Sequence, residues 1–210
     1  MEDRVRPLKN IKAVRPAGRQ RRHLRTPNPE VRQRLLEAAD NLIHEQGFPS
    51  LRIEQIVERA GLSIGTFYLY FESKNDLFVN LVIENTLLLQ RRLEAASRTE
   101  GSVLQRLGRV SDTYLDFVKE HERGFLYYHN SGHIDTTVGP LSVWAFNQSA
   151  TTIRPLLEEG MASGEIKKTD PELLAQAVVG VTEHMANYWL QHQEVYTREQ
   201  IKVFLFHLLS

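Results

Sequence analysis

The 210-residue sequence predicts an all-α protein, and three observations support that prediction. Apolar residues recur at spacings of three and four from Pro29 nearly to the C-terminus, which is the period of an amphipathic helix. Capping residues and glycines divide this pattern at intervals suited to separate helices. No stretch alternates apolar and polar residues as a half-buried strand does. We therefore expect eight or nine helices, without strands and without an internal repeat.

The first third of the chain is divided into four predicted helices by its capping and stop residues. Asn28, Ser63 and Ser73 each precede an apolar pattern and can cap a helix. Gly47 and Gly61 end the first and second helices. An aspartate three residues after Ser73 resembles a capping box with Asp in place of Glu. The predicted helices run at about 29–46, 51–60, 64–70 and 74–96.

The remaining two thirds are predicted to form longer helices joined by short breaks. Apolar positions between 102 and 121 cover more than one stripe, so we expect this helix to be enclosed by others. Pro155 lies inside a helical pattern and predicts a kink there. Gly164 ends that helix, and Asp170 and Thr197 can cap the next two. The predicted helices run at about 102–121, 122–130, 138–163, 171–193 and from 197 to the C-terminus.

The charge is zero in total but uneven along the chain. Residues 1–29 hold nine basic and two acidic residues, a net charge of +7. Residues 30–82 hold five basic and eight acidic residues (−3), and residues 83–210 hold twelve and sixteen (−4). The first segment also has four prolines and no apolar periodicity, so we interpret it as a flexible basic arm that meets a polyanion. The alternative is a solubilising tail.

Several classes of protein are disfavoured by what the sequence lacks. There is no cysteine, and no apolar run approaches the ~18 residues of a membrane span. No apolar segment follows the basic N-terminus, so we expect a cytoplasmic protein with no membrane partner. Phosphate-binding glycine patterns and nucleophile-elbow motifs are absent, and the glycine between His129 and His133 argues against a metal-binding helix face. We therefore expect no catalytic residue, no metal and no cofactor.

Residues 51–70 have the layout of a helix-turn-helix. Two short helices meet at a tight turn containing Gly61, and apolar residues such as Ile56 and Phe67 are placed to pack the crossing. In this motif the second helix enters the DNA major groove with its N-terminal residues. The layout thus suggests a DNA-binding function.

The residues of this motif resemble the DNA-binding signature of the TetR (tetracycline-repressor-like) family of bacterial transcriptional regulators. The resemblance lies in residues 60–77 (AGLSIGTFYLYFESKNDL) and in RLLEAA and EQGF at residues 34–39 and 45–48. It is close over residues 30–82. Less specific similarities follow in LEEG (157–160), GEI (164–166), DPEL (170–173) and YWL (188–190).

The resemblance implies an all-helical homodimer with a three-helix DNA-binding head and a larger helical bundle for ligand binding and dimerisation. The corresponding division is an arm at 1–28, a head at 29–75 and a body at 76–210. The resemblance further implies dimerisation through the last two helices. It implies a transcriptional regulator, most simply a repressor that a lipophilic or aromatic small molecule releases from a palindromic operator of double-stranded DNA.

The same resemblance implies which residues of the head face DNA. The family commonly has hydroxyl residues where Leu51 and Arg52 stand, one of which reaches a phosphate. Here Arg52 could supply that contact by its charge, or Ser50 by capping the helix. Val57 stands where a smaller Ala is usual. Phe67 and Phe71 are expected to pack the core of the head instead. The expected DNA-binding residues are Arg52, Ser63, Ile64, Gly65, Thr66, Tyr68, Leu69, Tyr70 and Lys74.

The predicted recognition helix contains few side chains that read bases by paired hydrogen bonds. Residues 63–70 include no Arg, Lys, Asn or Gln, which are the usual bidentate readers. We therefore expect the arm to supply much of the affinity and some A·T preference by entering the minor groove. The arm residues expected to do so are Arg19, Arg21, Arg22 and Arg25.

Aromatic residues are concentrated in the body, where they either pack a core or surround a ligand. By analogy with the family we expect a cavity there, apolar with a few polar anchors, suited to a lipophilic or aromatic small molecule. The expected lining is Tyr114, Phe117, Phe125, Tyr128, Trp144, Gln148, His184 and Tyr188. Val178, Val181, Phe204, His207 and Leu208 are candidates for the dimer interface, unless they only close the monomer.

Two other functions fit the same pattern. An all-helical dimeric interaction protein could retain the head without specific operator binding, and a helical ligand-binding enzyme is the third reading. Specific binding to a palindrome supports the regulator, whereas salt-sensitive binding to any duplex supports the interaction protein.

Overall fold

A computed structural model describes residues 28–131 and 138–207, and within these ranges the chain is all helical. This confirms the fold class that the periodicity predicted. The helices are α1 (Pro29–Gln46), α2 (Ile53–Arg59), α3 (Ile64–Tyr70), α4 (Lys74–Ser97), α5 (Val103–Glu120), α6 (Glu122–Ser131), α7 (Val138–Ser163), α8 (Pro171–Gln191) and α9 (Arg198–His207).

The predicted caps start the helices as expected, with two differences of detail. Ser63 and Ser73 accept hydrogen bonds from the backbone N–H groups three residues on. Asp76 does not complete a capping box, because its carboxylate accepts from the N–H of Glu72, 2.8 Å away, one residue before the cap. The second helix begins at Ile53 rather than 51, since Leu51 is buried in a turn and donates to the Phe48 carbonyl.

Two hydrophobic cores divide the described chain. The head core is formed by α1, α2, α3 and the first part of α4, and it extends as far as Leu81. The body core begins at Leu89 and reaches Leu205 in α9. Helix α4 thus belongs to both units, because one of its ends packs in each core. A single continuous helix therefore connects the two cores.

The body is a bundle in which α5 is surrounded, as its apolar pattern predicted. Helix α5 contacts α4, α6, α7, α8 and α9. Helix α6 lies between the units, since it contacts α1 of the head as well as α7 and α8 of the body. Among the described residues, no helix combines the length and apolarity needed to cross a bilayer.

Candidate DNA-binding surface and ligand cavities

Helix α3 has one face buried in the head and another face exposed. Phe67 is fully buried and Phe71, which follows the helix, is 2% exposed, in agreement with their expected packing role. On the opposite face Ile64 is 45% exposed, and Tyr68 and Leu69 are each 56% exposed. Large apolar side chains at this exposure are available for contact with DNA.

At the start of α3, Ser63 caps the helix and Gly65 leaves the backbone accessible. Ser63 accepts from the Thr66 N–H at 3.1 Å, and the hydroxyls of the two residues are 2.9 Å apart. A Cβ added at Gly65 would meet only the Ser63 hydroxyl, 3.8 Å away. Packing inside the head therefore does not require glycine at this position. An absent side chain here lets another molecule approach the backbone closely.

The turn between α2 and α3 depends on a glycine and an arginine. Gly61 has a φ of +62°, in the left-handed region that L side chains rarely adopt. The Arg34 guanidinium of α1 donates to the carbonyl of Ala60 at the end of α2. These two features fix the angle at which the recognition helix α3 leaves the turn.

Lys74 is occupied inside the head. Its ammonium donates to the carbonyls of Leu51, Phe48 and Pro49 at 2.9, 3.2 and 3.3 Å, and it lies 4.6 Å from the centre of the Phe48 ring. Burial lowers the pKa of Lys74. An ammonium has three N–H donors, so the phosphate contact that the sequence predicted would require breaking one of these bonds.

The other basic residues of the head also differ in whether a group within the protein binds their side chains. Arg59 makes two 2.9 Å hydrogen bonds to Glu45, and Arg32 pairs with Glu84. Arg34 is used at the turn. Arg52, by contrast, is exposed at the start of α2 and has no ion pair with a described residue. Within 30–82, Arg52 is thus the cation most available to a phosphate.

The arm joins the head beside the recognition helix. The backbone N–H of Asn28 donates to the Tyr70 hydroxyl at 2.9 Å, which ties the first described residue to the end of α3. The Tyr70 hydroxyl can still donate its own proton. The arm residues Arg19, Arg21, Arg22 and Arg25 lie outside the described residues.

The body contains a cavity of about 100 Å³ next to the head, which we name the head-side cavity. Four of the predicted lining residues meet there. Helix α1 supplies part of the same wall through Asp40, Ile43 and His44. A DNA-binding unit and a body cavity therefore share a surface. The four predicted residues are Tyr114, Phe117, Phe125 and Tyr128.

A second cavity of about 160 Å³, the inner cavity, lies among α5, α7, α8 and α9. Its walls are mostly aliphatic and include Leu107, Ile153 and Leu205. Tyr114, Ser149 and Glu183 line both cavities, so the two adjoin at these three residues.

The polar groups at this junction are removed from bulk water. Glu183 has no hydrogen bond or ion pair with another described residue, and burial raises its pKa to about 7. Burial, with a smaller contribution from the Glu183 charge, raises the pKa of the Tyr114 hydroxyl, which has no hydrogen-bond partner in the described chain. The Ser149 hydroxyl donates to the Ala145 carbonyl and can still accept.

Two further groups on the head-side cavity are affected by burial. Burial lowers the pKa of His129 to about 4, which keeps its imidazole neutral at pH 7. The pKa of the Tyr128 hydroxyl is raised, mainly by burial. The cavity thus presents several polar groups, including the carboxyl group of Asp40, on a largely apolar wall.

Comparison with known proteins agrees with this architecture. The family of bacterial regulatory proteins named tetR matches residues 35–81. The HTH-type transcriptional activator FasR of Mycolicibacterium smegmatis is 27% identical over 85% of this chain and 80% of its own length.

Solved structures share the fold of both units. A transcriptional regulator FadR from Bacillus subtilis, in complex with stearoyl-CoA, superposes with a TM-score of 0.71 at 21% identity, over 84% of this chain and 96% of that one. A transcriptional regulator from Saccharomonospora viridis, in complex with choline, superposes with a TM-score of 0.75 at 22% identity, over 86% and 96%.

The chain matches the TetR family over residues 35–81 and resembles an HTH-type transcriptional regulator over most of its length. It is a DNA-binding transcriptional regulator and not an enzyme, in agreement with the prediction from residues 60–77.

The structure separates the other predicted lining residues from the two cavities. Gln148 is hydrogen-bonded to Gln90 at 3.1 Å, and the Tyr188 ring stacks on His192 with centroids 4.1 Å apart. His184 borders a different surface depression, and Trp144 lines neither cavity. Sequence reasoning also missed Glu183, although it is the only charged residue between 173 and 191. That isolation in an apolar helix was the available signal.

Proposed function

We propose that this TetR-family protein is a ligand-responsive repressor, released from a palindromic operator by a lipophilic or aromatic small molecule. The observation that carries the proposal is the wall that α1 of the head shares with the head-side cavity. A ligand that fills this cavity contacts the head directly. It can therefore favour one orientation of the head over another, which is the differential interaction that a ligand switch requires.

The cavities favour an elongated, mostly apolar ligand. Both are lined chiefly by aliphatic and aromatic side chains, and they adjoin at Tyr114, Ser149 and Glu183. A ligand that spans both would place a hydrogen-bonding group at this junction and bury apolar parts on either side. Two relatives support a lipophilic class, since one is named as a fatty acid metabolism regulator and another holds stearoyl-CoA.

The head is proposed to read DNA through the exposed face of α3. Ile64 and Leu69 are placed for apolar contact with thymine methyl groups, and Thr66 for a base edge. Tyr68 and Tyr70 offer hydroxyls to phosphates, and Arg52 offers a charge. Because the other described cations of the head are engaged, we assign the remaining electrostatic affinity to the arm.

The arm is tested by deleting residues 1–26 and titrating operator binding against salt. We expect weaker binding and a shallower dependence on salt, because fewer counterions are released. Unchanged affinity and an unchanged salt slope would remove the arm from the proposal without affecting the role of α3.

Dimerisation is proposed to occur through α8 and α9. Val181 and Tyr188 on α8, and Val203 and Phe204 on α9, are each more than a third exposed. Two helices with exposed apolar faces pair with the same helices of a second copy in a four-helix bundle. Light scattering is expected to give a dimer, and a monomer at micromolar concentration would contradict this arrangement.

The main experiment combines DNA and ligand. A gel shift with DNA flanking the protein's own reading frame is expected to give saturable binding to a palindrome. Mass spectrometry of ligand that co-purifies with the protein then supplies a compound, which is expected to release the operator. Salt-sensitive binding to every duplex alike would instead favour the interaction protein.

A further inference from the structure

Three potential metal ligands meet where the head joins the body. Asp40 and His44 lie one turn apart on α1, and His121 occupies the corner between α5 and α6. One ligand atom from each residue can be chosen so that all three lie within 4.8 Å of one another. The His44 and His121 ring centres are 5.5 Å apart.

The contacts inside this cluster do not satisfy its members. His121 Nδ1 is 3.7 Å from a carboxylate oxygen of Asp40, which is too long for a hydrogen bond. The same Nδ1 is buried and has no hydrogen-bond partner among the described residues. A buried nitrogen without a partner is unfavourable unless another species binds it.

The chemistry of the three groups matches a transition-metal ion. Two imidazole nitrogens and one carboxylate oxygen form a mixed set of the kind that binds Zn²⁺, with water as a fourth ligand. Bond lengths of about 2.0–2.1 Å place tetrahedral ligands roughly 3.3 Å apart. Small side-chain rotations would bring the cluster to that spacing, and the His44 side chain is exposed.

Side-chain contacts next to the cluster already hold α1 close to the corner between α5 and α6. Arg123 of α6 donates to the Glu45 carbonyl of α1, so the helix corner and the end of α1 are joined next to the cluster. The ring of His121 also packs on Phe117, with centroids 4.5 Å apart. These contacts keep the ligands close without a metal.

We propose that Asp40, His44 and His121 form a binding site for a divalent transition-metal ion of the zinc type, which connects the head to the body. This site differs from the expectation of no metal, which rested on His129 and His133. Asp40 and His44 have the four-residue spacing of a helical ligand pair, but only the fold brings His121 to them.

A bound ion would also act on the regulator. It would fix α1 against the α5–α6 corner, and all three ligands line the head-side cavity. Metal is therefore expected to stabilise the described arrangement of head and body. Because metal binding is measured without DNA or organic ligand, the test of the site is independent of the proposed function.

The test uses the full chain after removal of metal with a chelator. Titration with Co²⁺ is expected to give one equivalent bound, with the visible absorption of low-symmetry coordination, and Zn²⁺ is expected to displace it. His44→Ala and His121→Ala are each expected to weaken binding at least tenfold. Excess Zn²⁺ is expected to raise the thermal midpoint of the natural protein and not that of His44→Ala.

His192→Ala is the matched control, because His192 is a histidine of the body that stacks on Tyr188 away from the cluster. It is expected to bind Co²⁺ as tightly as the natural protein. His44 is exposed, so its replacement leaves the fold intact, and circular dichroism checks this. Absence of a saturable one-to-one site, or equal affinity in His44→Ala and the natural protein, would overturn the proposal.

Discussion

The head and the body treat their interior polar groups differently. In the head, the half-buried Lys74 is satisfied by three carbonyls, and Phe67 is fully buried. In the described chain, buried side-chain polar atoms without a hydrogen-bond partner occur only from residue 111 onward, as at Tyr114 and His121. The body also contains the inner cavity.

This difference fits the proposed function, in which the head meets DNA at its surface and the body encloses a small molecule. The head presents α3 on its surface, so its interior can be packed and satisfied completely. A unit that binds a small molecule inside itself must keep space and some unsatisfied polar groups in its interior. Four substitutions, in order of decreasing expected effect, test this difference between the two units.

Phe67→Ala is expected to destabilise the head by about 3–5 kcal/mol, because it removes a fully buried aromatic ring from a packed core. Urea denaturation measures the loss, and operator binding is expected to disappear with it. Tyr68→Ala is the matched control on the exposed face of α3. It should leave stability within about 0.5 kcal/mol of the natural protein and weaken operator binding.

Lys74→Met is expected to cost about 1–3 kcal/mol, since three carbonyls lose their donor while the apolar stem is kept. The loss is read from chemical denaturation. If stability were unchanged and only operator affinity fell, Lys74 would be a phosphate ligand, as the sequence predicted, and the view of a fully satisfied head would be wrong.

Glu183→Gln tests whether the buried carboxyl group of the body makes stability depend on pH. Burial raises the folded-state pKa of Glu183 to about 7. Folding is therefore favoured while this carboxyl group is protonated. This contribution to stability is lost as pH rises from about 4.5 through 7. The variant does not ionise. It should therefore be more stable than the natural protein by up to about 3 kcal/mol at pH 8 and nearly equal in stability near pH 4.5.

The control for this measurement is Glu194→Gln, at an exposed position. Its stability difference from the natural protein is expected to be small and constant over the same range. A Glu183→Gln difference that did not grow with pH would mean that Glu183 is solvated, and the junction between the cavities would lose its role as a polar anchor.

Arg52→Ala is expected to have the smallest effect. Arg52 is exposed and has no described ion pair, so unfolding should be unchanged. Operator affinity is expected to fall roughly threefold to tenfold, with the salt slope reduced by about one unit. Unchanged binding would place the electrostatic contacts of the DNA-binding end in the arm.

The helix-turn-helix was more predictable from the sequence than the cavity lining, for a physical reason. Ser63, Gly61 and Phe67 act within about a dozen residues of one another, so spacing along the chain reveals their roles. The cavity lining is drawn from α1, α4, α5, α6, α7 and α8. Helical periodicity predicts that Phe117 and Tyr188 are both apolar positions of their helices. It does not predict that only Phe117 faces the cavity.

The sequence by itself determined the helices, their caps, the helix-turn-helix and the family, because these depend on contacts between residues a few positions apart. Only the tertiary structure decided that Lys74 binds carbonyls, that Glu183 lies between two cavities, and that His121 meets Asp40 and His44. Each of those results depends on which distant helices pack together. The spacing of residues within one helix does not indicate that packing.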